Sequence, residues 1–389
     1  FGSKTQLGPL RKSSGAAGHG RQARPSQMGC CASQYKKKRQ DLEVFFQYDF
    51  GMKIGSGGRS QIFEAVFRTN SERRAIKCVV RDEAEDEVRI AMRREAEILR
   101  KFQHPNVCRF FGLFEDDDVI FFVLELCPGG PLFDLLEDDI VLEEKEAARM
   151  VQEIAKAMAH VHQHDIIHRD LKPENILLSQ STTKGTVKLI DFGTAMWCGP
   201  NDVLSDPCGT LHYVAPEVLR GNYGRPADMW ALGVVAFLMI YGAYPFDGNS
   251  TTEVIKSILG DQPNWADSCY AVSIEVKDFL HVLLEKEPKK RLTAVEAAKH
   301  TWIESATTTE QSKALPRYSL QSYADNDHNS ESNPIPSGGN NSAQHDQAHR
   351  QSIAKAQRTS CCITQGMLKM AFEENSSLLR NAQTSTGCE

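Results

Sequence analysis

His168-Arg169-Asp170-Leu171-Lys172-Pro173-Glu174-Asn175, then an apolar run, then Asp191-Phe192-Gly193: this stretch decides how the rest of the 389-residue chain is read. It gathers carboxylates, an amide and a lysine within a short length of chain. Asp191 and Asn175 carry oxygen ligands of the hard kind that suits Mg²⁺. Asp170 can accept a proton from an attacking hydroxyl, and Lys172 can sit beside developing negative charge. These are the parts that phosphoryl transfer demands: metal ligands, a group to orient the nucleophile, and cations over the charge.

Toward the N-terminus, Gly55-Ser56-Gly57-Gly58-Arg59-Ser60-Gln61-Ile62 lies between two strand-like runs. Glycines there let backbone amides approach phosphate oxygens with no Cβ in the way. Taken alone, the run fits a glycine-rich hairpin turn equally well. The strand–turn–strand setting argues against a dinucleotide-binding or Walker loop, since both feed a helix. Ala75-Ile76-Lys77 ends the next apolar strand with a lysine that, by itself, reads as an ordinary edge residue. Further on, Val88, Met92, Leu99 and Phe102 mark one face of a helix, with Glu95 inside the stripe. A carboxylate facing inward needs a partner, because an unpaired buried charge is costly. Lys77 is the natural one, and the pair would orient the lysine toward phosphates.

Toward the C-terminus, Ala215-Pro216-Glu217 closes the segment that opens at Asp191. One such motif is compatible with chance; six in this order are not. Together they resemble the eukaryotic protein kinase family, over roughly residues 48–303. The resemblance implies ATP and Mg²⁺ as cofactors and protein serines or threonines as substrates. It implies Asp170 as catalytic base, with Lys172, Asn175 and Thr210 beside it. Asn175 and Asp191 match the metal ligands, and Lys77 and Glu95 the lysine–glutamate pair. Around the nucleotide it implies Ile54, Gly55, Ser56, Gly57, Gly58, Ile62, Ala75, Glu125 and Cys127. Thr210 and the Lys172 of "LKPEN" favour serine/threonine over tyrosine specificity. Asp228 matches the aspartate that holds the catalytic loop, and Arg291 the arginine that pairs with Glu217. Arg169 calls for an anionic partner on the activation segment: Asp206 is the built-in candidate, and a phosphorylated Ser205 its competitor.

Within the family the chain is similar to the calcium/calmodulin-regulated group, especially plant- and protist-type calcium-dependent kinases. The phrases that carry this are "ELCPGGPLFDLL", "CGTLHYVAPEVL", "YPFDG" and "PKKRLTAVEAAKHTWI". Two residues depart from the pattern. Ser60 replaces the third loop glycine, and Pro131 stands where the related motif usually has glutamate. The latter removes a carboxylate that helps read an upstream arginine, although Glu174 remains. The alternative is a pseudokinase scaffold that binds nucleotide without turnover, and the intact set Lys77, Glu95, Asp170, Asn175 and Asp191 argues against it. A small-molecule kinase of related fold is disfavoured by Thr210 and Ala215-Pro216-Glu217.

Strand-like runs at 50–54, 61–67, 74–79 and 119–126 precede helical stretches at 142–163 and 226–241. That order predicts an α+β fold of two lobes: a β-rich N-lobe at 48–127 and a larger α-helical C-lobe at 128–303. With 41% hydrophobic and 25% charged residues the composition is that of a globular protein. A net charge of −6 argues against nucleic acid as a partner. Eleven cysteines without metal-ligand spacing fit a reducing, cytoplasmic setting. The longest apolar run, 231–241, is too short to span a bilayer, and the first residues lack the apolar segment of a secretory signal.

The ends are polar. Residues 1–47 are expected to be disordered, and 304–389 to form a disordered or weakly helical tail. The chain begins at Phe1, which reads either as a fragment or as an over-extended frame whose true start is Met28. Met28-Gly29-Cys30-Cys31-Ala32-Ser33 then fits a myristoylation signal on Gly29, with Cys30 and Cys31 open to palmitate. Lys36-Lys37-Lys38-Arg39 would add attraction to anionic lipid, so anchoring to the cytosolic face of a membrane is expected. Asp325-Asn326-Asp327 begins like a calcium loop, but Ser330 holds the glycine position and the terminal acid is absent. No EF-hand is therefore expected in this stretch: either truncation has removed the sensor, or calmodulin or another protein would supply any calcium input. Ile363, Met367, Leu368, Ala371 and Phe372 recur at helical spacing. They read as a weakly helical tail in preference to an autoinhibitory or calmodulin-target helix.

Overall fold

A computed structural model of the chain describes residues 42–57, 60–80, 86–116, 119–137, 141–265 and 272–308. Strands β1 (Tyr48–Ser56), β2 (Ser60–Phe67), β3 (Arg73–Val80), β4 (Phe110–Glu115) and β5 (Val119–Glu125) form an antiparallel sheet in the order β1-β2-β3-β5-β4. Residues 119–123 of β5 are all buried, as a strand covered on both faces must be. Their alternation feeds two cores. Phe121 and Val123 join Phe63 and Ile76 on one side, while Ile120 and Phe122 join the larger core on the other. β4 is absent from the expected runs because all six of its residues are half-buried and no alternation shows.

Helix α1 (Glu43–Gln47) caps the first side of the sheet. Its Val44 and Phe45 are buried, and the Phe45 ring meets that of Phe121 edge-on at 5.8 Å. The expected break after residue 47 therefore falls inside the folded unit. A helix of five residues is too short to display a 3.6-residue period, so the sequence hides it. Helix α2 (Asp86–Arg100) lies on the other side, with Ala96, Ile98 and Leu99 in the larger core. Phe102, expected on this helix, sits just past its end and is buried as well.

The second lobe is helical: α3 (Leu132–Glu137), α4 (Glu144–Gln163), α5 (Pro216–Leu219), α6 (Pro226–Tyr241), α7 (Thr251–Gly260), α8 (Ile274–Leu283), α9 (Ala294–Ala297) and α10 (Thr301–Thr308). In α4 the buried residues Ala147, Met150, Val151, Ile154, Met158 and Val161 recur at helical spacing and line one face. α6 is buried all round, from Ala227 to Tyr241. At Gly233 a Cβ would stand 2.9 Å from the Leu283 Cβ, so the missing side chain is what lets α8 close on α6. α10 continues past residue 303, with Trp302 and Ile303 in the core. The expected two-lobed α+β architecture is borne out. Two short antiparallel pairs, β6 (Ile166–Ile167) with β9 (Met196–Trp197) and β7 (Ile176–Leu178) with β8 (Val187–Leu189), carry the chemistry-bearing stretch. Among the described residues no helix is long and apolar enough to cross a membrane.

Candidate active site

The 168–175 loop runs from β6 toward β7, and its backbone is clamped by Asp228 in the first turn of α6. Asp228 accepts the N–H of His168 and of Arg169 at 2.9 Å each, and His162 Nε2 reaches it at 2.9 Å. Burial pushes the Asp228 carboxyl up, but the bond and charge of His162, with His168 nearby, outweigh it and hold it below the ordinary range. It stays an anion in the core. Arg169 (φ 71°) and Asp191 (φ 60°) both occupy the left-handed region. Such backbones persist in non-glycine residues only where the surroundings over-determine them.

Above this clamp three side chains close a triangle. Thr210 Oγ1 donates to Asp170 Oδ1 at 2.7 Å, Lys172 Nζ donates to Thr210 Oγ1 at 2.8 Å, and Lys172 Nζ lies 2.8 Å from Asp170 Oδ2. Asn175 Nδ2 donates to the Asp170 carbonyl at 2.8 Å and to Asp170 Oδ2 at 3.2 Å. The Asp170 carboxylate is thus fixed in direction and charge-balanced, while the amide oxygen of Asn175 is left for another partner.

From the first lobe, Lys77 on β3 places Nζ 3.2 Å from Glu95 Oε1 on α2 and 3.5 Å from Asp191 Oδ1. Burial disfavours the lysine's charge, but the two carboxylates outweigh it and raise its pKa above the ordinary lysine range. Lys77 in turn holds the Asp191 carboxyl below its usual range against the effect of burial. Phe192 is fully buried, its ring 4.9 Å from Phe102 and 4.9 Å from His168, which anchors the residue beside Asp191 in the core. Asp191 and the Asn175 oxygen suit a hard divalent cation. Among the described residues no group of three or more His, Cys, Asp or Glu is placed to enclose a metal.

Ile54, Gly55 and Ser56 end β1, with Gly55 in register with Ile62 of β2. The Gly57 N–H closes the hairpin on the Ser60 carbonyl at 2.9 Å. Ala75 faces Leu124 across the β3–β5 pairing. Glu125 spends its carboxylate on Lys188 at 2.7 Å and on the Arg109 N–H at 3.1 Å, so that carboxylate is not free for a ligand. Cys127 is half-buried just beyond. Glu174 is half-buried; desolvation pushes its carboxyl up, and its Oε2 accepts no hydrogen bond among the described residues. Gly58, Gly29, Cys30 and Cys31 lie outside the described residues, as does the tail beyond 308 with its calcium-loop-like and helical stretches.

Arg169 departs from expectation. Its Nε donates to the Thr194 carbonyl at 2.6 Å and its Nη1 to the Tyr223 hydroxyl at 3.2 Å; that hydroxyl donates to the Asp206 backbone carbonyl at 2.7 Å. The expected carboxylate–guanidinium pair is not formed. The Asp206 and Ser205 side chains are exposed, and an isolated carboxylate keeps its hydration more cheaply than it gives it up. The paired backbones of Leu204 and Tyr223, N···O 2.8 and 3.1 Å, bring the neighbouring carbonyl to Tyr223 instead. Tyr223 is the residue that sequence reasoning missed. Farther out, Arg291 Nη1 and Nη2 hold Glu217 at 2.5 and 2.7 Å in a buried two-pronged pair.

A family model described as a protein kinase domain matches residues 48–303. Calcium-dependent protein kinase 7 of Arabidopsis thaliana is 35% identical over 281 residues, which is 72% of this chain and 51% of that protein. Calcium-dependent protein kinase 5 of Plasmodium falciparum is 34% identical over 256 residues, 64% of this chain and 44% of that protein. Myosin light chain kinase A of Dictyostelium discoideum is 34% identical over 265 residues, 68% of this chain and 90% of that protein. The chain spans about half the length of the calcium-dependent relatives it matches.

Proposed function

The chain belongs to the protein kinase family, and from that premise we propose that it is a serine/threonine kinase, moving the γ-phosphoryl group of ATP to protein hydroxyls. The observation that carries this reading is the closed Asp170–Lys172–Thr210 triangle at 2.7 to 2.8 Å. Asp170 orients an incoming hydroxyl and takes its proton, with Thr210 and Asn175 fixing the carboxylate's direction. Lys172 balances the charge that develops beside it. Lys77, pinned by Glu95, presents a fixed cation to the phosphates. Asp191 and Asn175 would hold Mg²⁺, which supplies neutralisation of phosphate charge when bound.

Two further readings rest on the motifs and on the relatives' names. Two of the relatives are named for calcium dependence, which supports a calcium-linked input here, received through calmodulin or another sensor. Met28-Gly29-Cys30-Cys31 supports lipid anchoring of an otherwise cytoplasmic enzyme. The test of the central reading is phosphotransfer by the purified full chain to a mixed serine/threonine peptide set. Asp191→Asn keeps the side chain's size and removes its charge, so it should abolish transfer with an unchanged circular-dichroism spectrum. Lys77→Met should cripple turnover as well. Parent-like transfer by Asp191→Asn would refute the assignment.

A further inference from the structure

Two cysteines meet where the sheet hands the chain to the second lobe. Cys108 precedes β4 and Cys127 follows β5 by two residues. The Glu125 N–H donates to the Arg109 carbonyl at 2.8 Å, which lays the two segments side by side. Cys108 Sγ then approaches the Glu125 carbonyl oxygen at 3.6 Å, and Cys127 Sγ approaches the same oxygen at 4.0 Å. Both sulfurs thus lie against one oxygen atom. Both are free; Cys108 is 5% exposed, whereas Cys127 is only half-buried.

We propose that Cys108 and Cys127 form a modification site, which a hydroperoxide closes into a disulfide beside the Glu125 carbonyl, and that this bridge weakens nucleotide binding. The Cys127 thiolate, being the reachable one, attacks a peroxide oxygen. The O–O bond breaks, the leaving hydroxide takes up a proton, and a sulfenic acid remains on Cys127. Cys108 sulfur then attacks that sulfur; the S–O bond breaks, and water leaves with the thiol proton. With hydrogen peroxide, two thiols lose two electrons and two waters form. The order follows from the surroundings, since the neighbouring Cys127 and burial push the Cys108 thiol well up and make it a poor first attacker. The effect on nucleotide rests on the proposed kinase reading, in which Glu125 and Cys127 offer backbone to the base; disulfide formation does not. The bridge ties that backbone to the segment before β4 and crowds the shared carbonyl.

The chain's own cleavage sites make the test direct. Arg109 separates the two cysteines, so trypsin leaves Cys108 in peptide 102–109 and Cys127 in peptide 110–145, each with no other cysteine. Full-length protein is treated with hydrogen peroxide, alkylated and digested without reductant. A linked 102–109/110–145 pair, reversed by dithiothreitol, is expected. Affinity for a fluorescent ATP analogue should fall by about tenfold or more on oxidation and recover on reduction. Cys108→Ser should bind nucleotide like the reduced parent, keep that affinity after peroxide, and leave Cys127 as a sulfenic acid that dimedone traps. Absence of the linked pair while Cys127 is fully oxidised overturns the site. A linked pair with unchanged affinity overturns its effect on nucleotide. If even reduced protein binds no nucleotide, the kinase reading fails while the peptide map still decides the disulfide.

Discussion

Asp228→Asn removes the clamp under the 168–175 loop at nearly constant volume. Asp228 presents two acceptor oxygens to three donors: Oδ2 to His162 Nε2 and the His168 N–H, Oδ1 to the Arg169 N–H, all at 2.9 Å. Asparagine has one oxygen, and its NH₂ must face a backbone N–H whichever way it flips. At least one charge-assisted bond is lost outright, about 1.5–3 kcal/mol. The remaining two become neutral, which roughly halves them, about 1 kcal/mol each. The sum, about 3–5 kcal/mol, matches what breaking a buried charged contact costs. For a folded unit of this size that lowers the melting temperature by roughly 10 °C. Thermal unfolding of purified parent and variant at neutral pH measures it. Turnover measured well below both transitions should also fall, because in the flip that keeps the other two bonds the Arg169 N–H is no longer held and its φ of 71° can relax, moving Asp170. A variant that melts within a degree or two of the parent and keeps its turnover would show that Asp228 is not the clamp.

Tyr223→Phe removes the hydroxyl that links Arg169 to the Asp206 carbonyl, and should lower turnover several-fold, in keeping with about 1 kcal/mol for one such bond. Asp206→Ala should be nearly silent, and the reverse ranking of the two would return the role to the carboxylate. His104, His160 and His164 meet with ring centroids 5.1 and 4.5 Å apart, and burial, with the neighbouring imidazole in each case, holds His104 and His160 below the ordinary imidazole range. The unfolded chain then binds more protons than the folded one as pH falls, so this stability is whole above about pH 6.5 and is lost below it, through the folded pKa. His160→Phe should flatten the drop in melting temperature between neutral and acid pH, and an undiminished slope would remove the cluster from the account. Gly29→Ala, in protein initiated at Met28, should move the chain from the membrane fraction to the cytosol; a variant as membrane-bound as the parent would exclude myristate.

What the sequence made legible is chemistry confined to short, contiguous runs. The loop at 168–175 and the triplet at 191–193 admit few residue types, so their reading needs no tertiary information. Lys77 and Glu95 needed one more step. The helical period placed a carboxylate among apolar residues, the cost of burying it demanded a cation, and the two stand 3.2 Å apart. Features that arise only in three dimensions stayed hidden. Tyr223 lies 54 residues from Arg169 and belongs to no repeating pattern. Asp206 looked like a partner because of its place along the chain, yet the folded segment turns its carbonyl inward and its carboxylate to water. α1 and β4 were missed for want of periodicity, the one by its length and the other by its even exposure.

The buried helix α6 has a consequence for how long each part of the site keeps its shape. Every residue from Ala227 to Tyr241 is covered, so the amide hydrogens of its later turns can exchange with deuterium only when the whole fold opens. β1, most of whose residues face solvent, can open on its own and exchange far sooner. Asp228 rides on α6, and Ile54, Gly55 and Ser56, proposed to line the nucleotide, ride on β1. In the proposed kinase the site would therefore lie between a floor whose amide protons exchange only with global opening and a roof whose protons exchange far sooner.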